Sequence, residues 1–328
     1  MTDTASHTHT HGRIEYLDAM RGWAIFVMVW VHSTWLALGA DKVYMWSFAV
    51  VYPMPVFFAV SGYLWSYKNR PGVPWRRWLK MLVLLLVGSL GYALLFGEDA
   101  WGMFSDMYYY WFFAALLLCE LCQYGLDRLA LGRTARAALQ VYIVGAVLLW
   151  NVFWWCMEDF GANRFGIPWA DMESYWLFYA MGAMMGRDLK ARRALTTWPM
   201  AAIGALLLAY GIYCGKGAGS PGGLAGGLGA VTLTWWAFRQ LSIRTHRGAS
   251  LLAWLGRQSL GVFLLSYPVL SWLLPLGLRV PRSWVDTTPR QWFAALAVAI
   301  PVTLLMAAAT YLFKNFFKNL KFIHIQKI

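Results

Sequence analysis

Two side chains that can do chemistry, Arg21 and His32, stand in one apolar segment that runs from Leu17 to Trp35. A guanidinium binds anions and an imidazole transfers protons near neutral pH. The two residues are eleven positions apart, which is roughly three full turns at about 100° per residue, so a helix places both on one face. A rise of about 1.5 Å per residue separates them by roughly 16 Å. Charged and polar groups inside a membrane helix mark a functional site by default.

Both residues also have plainer interpretations. Arg21 could be an interfacial arginine that reaches lipid phosphates, and His32 could be structural. Asp18 stands three residues before Arg21, close enough on a helix to hold the guanidinium. His32 is the only histidine in a predicted membrane span; the others are His7, His9, His11, His246 and His324.

Apolar runs recur along nearly the whole chain and predict an all-α polytopic membrane protein. Apolar residues make up 60% of the sequence, and the mean hydropathy is +0.49. We expect a transmembrane domain over 15–315, a disordered cytoplasmic tail over 1–14 and a basic cytoplasmic tail over 316–328. About ten spans are predicted, near 17–39, 43–67, 79–96, 107–124, 139–157, 174–186, 199–214, 222–238, 251–274 and 291–313.

The net charge of +13 follows the predicted topology. When the connections are numbered alternately, one set collects most of the lysines and arginines and the other most of the acids. The positive-inside rule then places both termini in the cytoplasm, so the basic excess indicates a lipid bilayer and not nucleic acid as the partner. The basic set comprises Lys68, Arg70, Arg76, Arg77, Lys80, Arg128, Arg133, Arg136, Arg187, Lys190, Arg192, Arg193, Arg239, Arg244, Arg247, Lys314, Lys318, Lys321 and Lys327.

A few polar side chains in or near other spans are candidates to line a cavity around Arg21. Pro53 and Pro55 interrupt the second span, and such freed backbone is tolerated where it is buried or lines a cavity. Each polar candidate is equally consistent with a packing role. The candidates are Ser61, Glu120, Arg257, Gln258 and Ser266.

Other chemistries lack a signal in the sequence. The four cysteines all fall in predicted spans, so no disulfide framework is implied. The glycine-rich stretch over 215–229 follows no strand and is not a phosphate-binding loop. No metal-ligand cluster, nucleophile elbow or glycosidase-like carboxylate pair is present, and we predict no metal site.

The chain resembles the membrane-bound acyltransferase 3 family, which includes sugar O-acetyltransferases. The hallmark is an arginine, ten residues and then a histidine, here within a Leu-Asp-x-x-Arg-Gly start. Further matches fall in the same order over about 250 residues. They are 57–62 (Phe-Phe-Ala-Val-Ser-Gly), 110–116 (Tyr-Trp-Phe-Phe-Ala-Ala-Leu), 182–186 and 255–260 (Leu-Gly-Arg-Gln-Ser-Leu). The chain departs from many relatives near Pro268, where Ser266 and Tyr267 stand in place of a motif ending in histidine.

The resemblance implies O-acylation of a carbohydrate or glycolipid at the bacterial inner membrane, with acetyl-CoA as the donor. Arg21 and Arg257 would then bind the donor, because guanidinium groups bind phosphates bidentately. Asp18 would belong to the same donor site by holding the Arg21 guanidinium in place. His32 would act either as a base on the acceptor hydroxyl or as a nucleophile that is acylated first. The direct route is preferred slightly.

Two other classes of function remain open. A transporter or exporter also uses intramembrane ionisable residues and broken helices, although no inverted repeat is detectable. A structural assembly factor would leave Arg21 and His32 without a role. The acceptor sugar, the exact acyl group and the oligomeric state are not predicted.

Overall fold

The computed structural model describes residues 14–34, 48, 51–67, 72–97, 110–129, 139, 142, 145, 172–214, 220–244, 246–273 and 288–325. Ten helices lie in these ranges, and no strand does, so the all-α prediction is confirmed. They are α1 Glu15–His32, α2 Pro53–Tyr67, α3 Trp75–Phe96, α4 Trp111–Arg128, α5 Met172–Arg187, α6 Leu189–Leu195, α7 Trp198–Cys214, α8 Pro221–Arg244, α9 His246–Leu273 and α10 Thr288–Ile325.

Every predicted span except the fifth overlaps one of these helices, while 139–157 lies outside the described residues apart from three single positions. By length and apolar character, two described helices suffice to cross a membrane, Trp75–Phe96 and Pro289–Phe316. A third is added if α6 and α7, bent by 63°, count as one span. The count of ten and the cytoplasmic termini remain predictions. Helix α10 continues past the predicted tail boundary at 316.

Helices α1 and α9 pack side by side and run in the same direction. Arg21 contacts Ser259, and further along both helices the ring of His32 meets that of Tyr267. In a chain that crosses a membrane repeatedly, two helices that run in the same direction must be separated by at least one further span. Several helices lie between α1 and α9 in the sequence, so their parallel packing is consistent with such a chain.

Helices α3 and α4 run in opposite directions. Trp78, near the start of α3, donates a hydrogen bond to Glu120 in the second half of α4. Gly88, further along α3, lies against the ring of Tyr110 at the start of α4. These relative directions matter for the site, because they decide which helix ends meet.

The α1–α9 contact depends on two glycines, Gly22 and Gly256. A β-carbon at Gly22 would overlap the carbonyl oxygen of Leu252, and one at Gly256 would overlap that of Asp18. Small residues allow such close backbone approach between membrane helices. The crossing therefore fixes the register of α1 against α9.

The break in the second predicted span lies just before its prolines. Helix α2 begins at Pro53, and the N–H of Tyr52 still bonds to the preceding turn, at the carbonyl of Phe48. Pro53 and Pro55 thus occupy the first turn of α2, where a missing N–H removes no intrahelical hydrogen bond. The interruption falls at Tyr52, not between the two prolines, and α2 itself is continuous.

The helix crossing gives a first test. Gly256→Ala should destabilise the protein by about 1–3 kcal/mol through overpacking, because its β-carbon meets backbone that cannot turn aside. Gly91→Ala is the matched control, since a β-carbon there meets no atom within 4 Å. Alanine is also the better helix former, so the control should be neutral or slightly stabilising. Thermal unfolding in detergent checks both; equal midpoints for the two variants would refute the tight crossing.

Candidate functional site

A cavity of about 280 Å³ lies among α1, α2, α3, α4 and α9. Its wall combines three cationic side chains and two hydroxyls with ten apolar side chains. Cavities that bind ligands are typically mostly apolar with a few placed polar groups. The lining residues are Arg21, Met54, Phe57, Ser61, Leu64, Arg77, Lys80, Met81, Leu84, Phe112, Phe113, Leu116, Ser259, Leu260 and Phe263.

The cavity has a cationic end and an aromatic end. Arg77 and Lys80 belong to the first two turns of α3. Because α4 runs antiparallel to α3, Phe112 and Phe113 in the first turn of α4 lie at the opposite end. Phe263 joins them there, with ring centroids 5.4 Å from each. The arrangement suits an elongated ligand with an anionic head and a less polar tail.

Arg21 is held at the cationic end by one polar group from α9 and one from its own helix. Its Nη2 donates a hydrogen bond of 3.0 Å to the Oγ of Ser259. The Oδ1 of Asp18, one turn earlier, lies 3.9 Å from its Nη1, at the outer limit of an ion pair. The Arg21 side chain keeps 31% of its surface exposed. Its guanidinium is thus oriented but still accessible to an anionic ligand.

Arg77 is held by Glu120, which is fully buried. The two side chains form an ion pair, and Trp78 donates a hydrogen bond of 3.2 Å from Nε1 to the Glu120 Oε2. A buried carboxylate needs such partners, since burying an isolated charge is very costly. Glu120, predicted to line a cavity, is not one of the residues that line this one. It lies behind the wall and holds Arg77, which does line it.

His32 is the last residue of α1, three turns beyond Arg21. Its Nδ1 lies 2.9 Å from the carbonyl oxygen of Met28. A carbonyl oxygen only accepts hydrogen bonds, so Nδ1 carries the proton, and in the neutral ring Nε2 is the basic nitrogen. The ring of Tyr267 stands edge-on to the imidazole, with centroids 6.0 Å apart. This tautomer, with Nε2 unprotonated, is the one that a general base or nucleophile needs.

His32 lies past the aromatic end of the cavity and is not part of its wall. Tyr267, its ring neighbour, is one turn beyond Phe263 on α9, and Phe263 lines the cavity. Arg21 and His32 therefore share one stripe of α1, as the spacing predicts, but the structure separates them by the aromatic side chains of other helices.

Of the remaining predicted site residues, one lines the cavity and three do not. Ser61 lines the cavity. Arg257 and Gln258 do not; they meet α10, where the Nζ of Lys314 donates to the Arg257 carbonyl at 2.9 Å and to the Gln258 Oε1 at 2.8 Å. Ser266 also lies outside the wall and donates to the Phe263 carbonyl at 2.9 Å. Gln258 and Ser266, both predicted to line a cavity, are thus not part of this wall.

Three polar residues of the cavity are absent from the sequence-based candidates: Arg77, Lys80 and Ser259. Ser259 belongs to the same motif as Arg257 and Gln258 but points to a different side, because each residue turns the helix by about 100°. Arg77 and Lys80 are three apart on one helix face, which is the one sequence signal that pairs them. Within the described residues, no group of three or more His, Cys, Asp or Glu side chains could hold a metal ion.

A comparison with family models identifies the class of protein. Residues 14–308 match the family model of acyltransferase 3, which is described as an acyltransferase domain. No curated protein and no solved structure shows significant similarity to the chain. The matched range contains every residue of the cavity wall as well as His32. Since the match covers most of the sequence, the chain belongs to the acyltransferase 3 family of membrane proteins and is an acyltransferase.

Proposed function

We propose that this protein is an integral membrane O-acyltransferase of the bacterial inner membrane. It moves an acyl group, most simply acetyl, from cytoplasmic acyl-CoA to a hydroxyl of a cell-envelope or exported carbohydrate. The observation that carries the proposal is the cavity whose cationic end holds Arg21 and whose aromatic end leads toward His32.

The cationic end suits the phosphate-rich head of the donor. Arg21, Arg77 and Lys80 line this end together, and guanidinium groups bind phosphates through two parallel hydrogen bonds. Arg257, predicted to bind the donor, is not part of this wall, so Arg77 and Lys80 replace it in the proposal. At about 280 Å³ the cavity is at the small end of ligand pockets, which typically span about 300–1,000 Å³. We therefore assign it to the thin arm of the donor, with the nucleotide at the cytoplasmic mouth.

The aromatic end suits the thioester that ends this arm. The apolar walls between the two ends, from α2, α3 and α4, exclude water from the arm. Exclusion of water limits hydrolysis of the thioester and strengthens electrostatic interactions inside the site. His32, roughly 16 Å along α1 from Arg21 by helix rise, then lies on the side where the acceptor approaches.

In the proposed reaction, Nε2 of His32 takes the proton of the acceptor hydroxyl. The hydroxyl oxygen attacks the thioester carbonyl carbon, a new C–O bond forms, and the C–S bond breaks. The departing thiolate takes up the proton from the imidazolium, so His32 returns to its starting state. The Met28 carbonyl keeps the Nδ1 proton in place and stabilises the imidazolium. An acyl-histidine route would use the same Nε2 as a nucleophile.

The function is tested by mass spectrometry of cell-surface glycans from strains that carry wild-type protein, Arg21→Ala or His32→Ala. Both substitutions should remove one acyl mass per modified sugar unit, and the mass difference identifies the donor and acceptor together. His7→Ala, in the predicted tail, is the control and should leave the glycans unchanged. Unchanged glycans in both site variants, with the proteins present in the membrane, would contradict the proposal and favour the transporter.

The donor site is tested by kinetics of the purified protein. Lys80→Ala should raise KM for acyl-CoA by roughly tenfold or more, because a hydrogen bond to a charged group contributes about 1.5–3 kcal/mol, while kcat changes little. Added salt should weaken donor binding to the wild type more than to this variant. Arg193→Ala, an exposed cation of α6 away from the cavity, is the matched control. If KM for acyl-CoA is unchanged in Lys80→Ala, Lys80 does not bind the phosphates of the donor.

A further inference from the structure

Phe263 is the central side chain of the aromatic end of the cavity, because the other rings there pack against it. It contacts Phe112 and Phe113 at centroid distances of 5.4 Å, and Tyr110 at 6.4 Å. All three neighbours come from the start of α4. Tyr110 is held in turn by its hydroxyl, which donates to the Leu264 carbonyl at 3.4 Å. Phe263 is thus locked against α4 while part of its ring faces the cavity.

Phe263 also borders the way from the cavity to His32. Leu260 and Phe263, about one turn apart on α9, both line the cavity. Tyr267, one turn further along the same helix, meets the imidazole. Tyr267 is backed by Tyr92 of α3, with centroids 5.5 Å apart. A group that enters from the cationic end therefore reaches the Phe263 ring before it reaches the Tyr267 and His32 pair.

We infer that Phe263 sets the length of the acyl group that this enzyme transfers. The inference rests on the proposed function and goes beyond it, because it assigns a specificity determinant that neither the motif nor the charge pattern contains. With the donor arm in the cavity, the acyl group projects past its thioester toward this ring. A short acyl group fits in front of the ring, and each further methylene must displace it.

The preference for acyl length depends on whether added methylenes must displace the Phe263 ring or can be buried in its place. The Phe263 ring is fixed by three aromatic neighbours, so displacing it disturbs a packed cluster, and forced insertion of extra methylenes into a packed region is unfavourable. Removing the ring creates apolar space instead. Each additional buried methylene then favours the longer donor by roughly fourfold in relative kcat/KM. The residue thus separates acetyl from propionyl and butyryl donors.

The test measures kcat/KM for acetyl-, propionyl- and butyryl-CoA with purified wild type, Phe263→Leu, Phe263→Ala and Phe263→Trp. The Leu and Ala variants should raise the butyryl-to-acetyl ratio by roughly fourfold to fifteenfold, from two extra methylenes. Phe263→Trp should lower that ratio below the wild-type value. Ratios within one protein cancel differences in the active fraction, so partial loss of folded Phe263→Ala does not obscure the result, and Phe263→Leu is the milder substitution.

Phe178→Leu is the matched control. Phe178 is a fully buried ring of α5 and lies outside the cavity wall, so its loss should leave the donor ratios unchanged. Unchanged ratios in all three Phe263 variants, with transfer still occurring, would overturn the inference and leave the proposed function intact. Wild-type protein that transfers none of the three acyl groups to any glycan acceptor would instead overturn the proposed function.

Discussion

The close crossing of α1 and α9 at Gly22 and Gly256 is the constraint on which the site depends. The two backbones touch there, so neither helix can slide or rotate without a clash. Arg21 precedes one glycine and Ser259 follows the other by three residues, and the two side chains are therefore brought within hydrogen-bond distance. Because both helices run in the same direction from this point, the next turns bring Phe263 to the end of the cavity and Tyr267 to His32.

The charges of the cavity are arranged around this frame so that cations face inward and their counter-charges do not. Glu120 is fully buried behind the wall and holds Arg77, while Asp18 is nearly buried beside Arg21. Each carboxylate orients a guanidinium without occupying the cavity itself. Such preorganisation limits the reorganisation needed when an anionic ligand binds. Beyond the cations the wall is mostly apolar, which suits the ligand's less polar tail.

The sequence predicts the helical class, the family and the Arg21–His32 stripe, because helical periodicity and apolar length are local properties. It also finds Ser61. The sequence does not predict the residues of the cavity wall whose position depends on how one helix packs against another. Arg77 and Lys80 read as topology signals, since the basic end of any span attracts cations, and only the packing of α3 turns them toward Arg21. Residue type alone favours Arg257 and Gln258 over Ser259, but the rotation of α9 fixed by Gly256 places Ser259 in the cavity wall. Glu120 is recognisable in the sequence as a polar candidate, but its pairing with Arg77 depends on the register of α3 against α4.

The central claim is that one cavity binds the donor head at Arg21, Arg77 and Lys80 and delivers the acyl group toward His32. The most direct test is a cryo-electron microscopy structure with a non-transferable thioether analogue of acetyl-CoA. We expect phosphate oxygens within hydrogen-bond distance of at least one of the three cations, the arm along the apolar walls, and the acyl end beside Phe263 with His32 beyond it. An analogue bound elsewhere, or bound in the cavity with its acyl end pointing back to the cations, would contradict it.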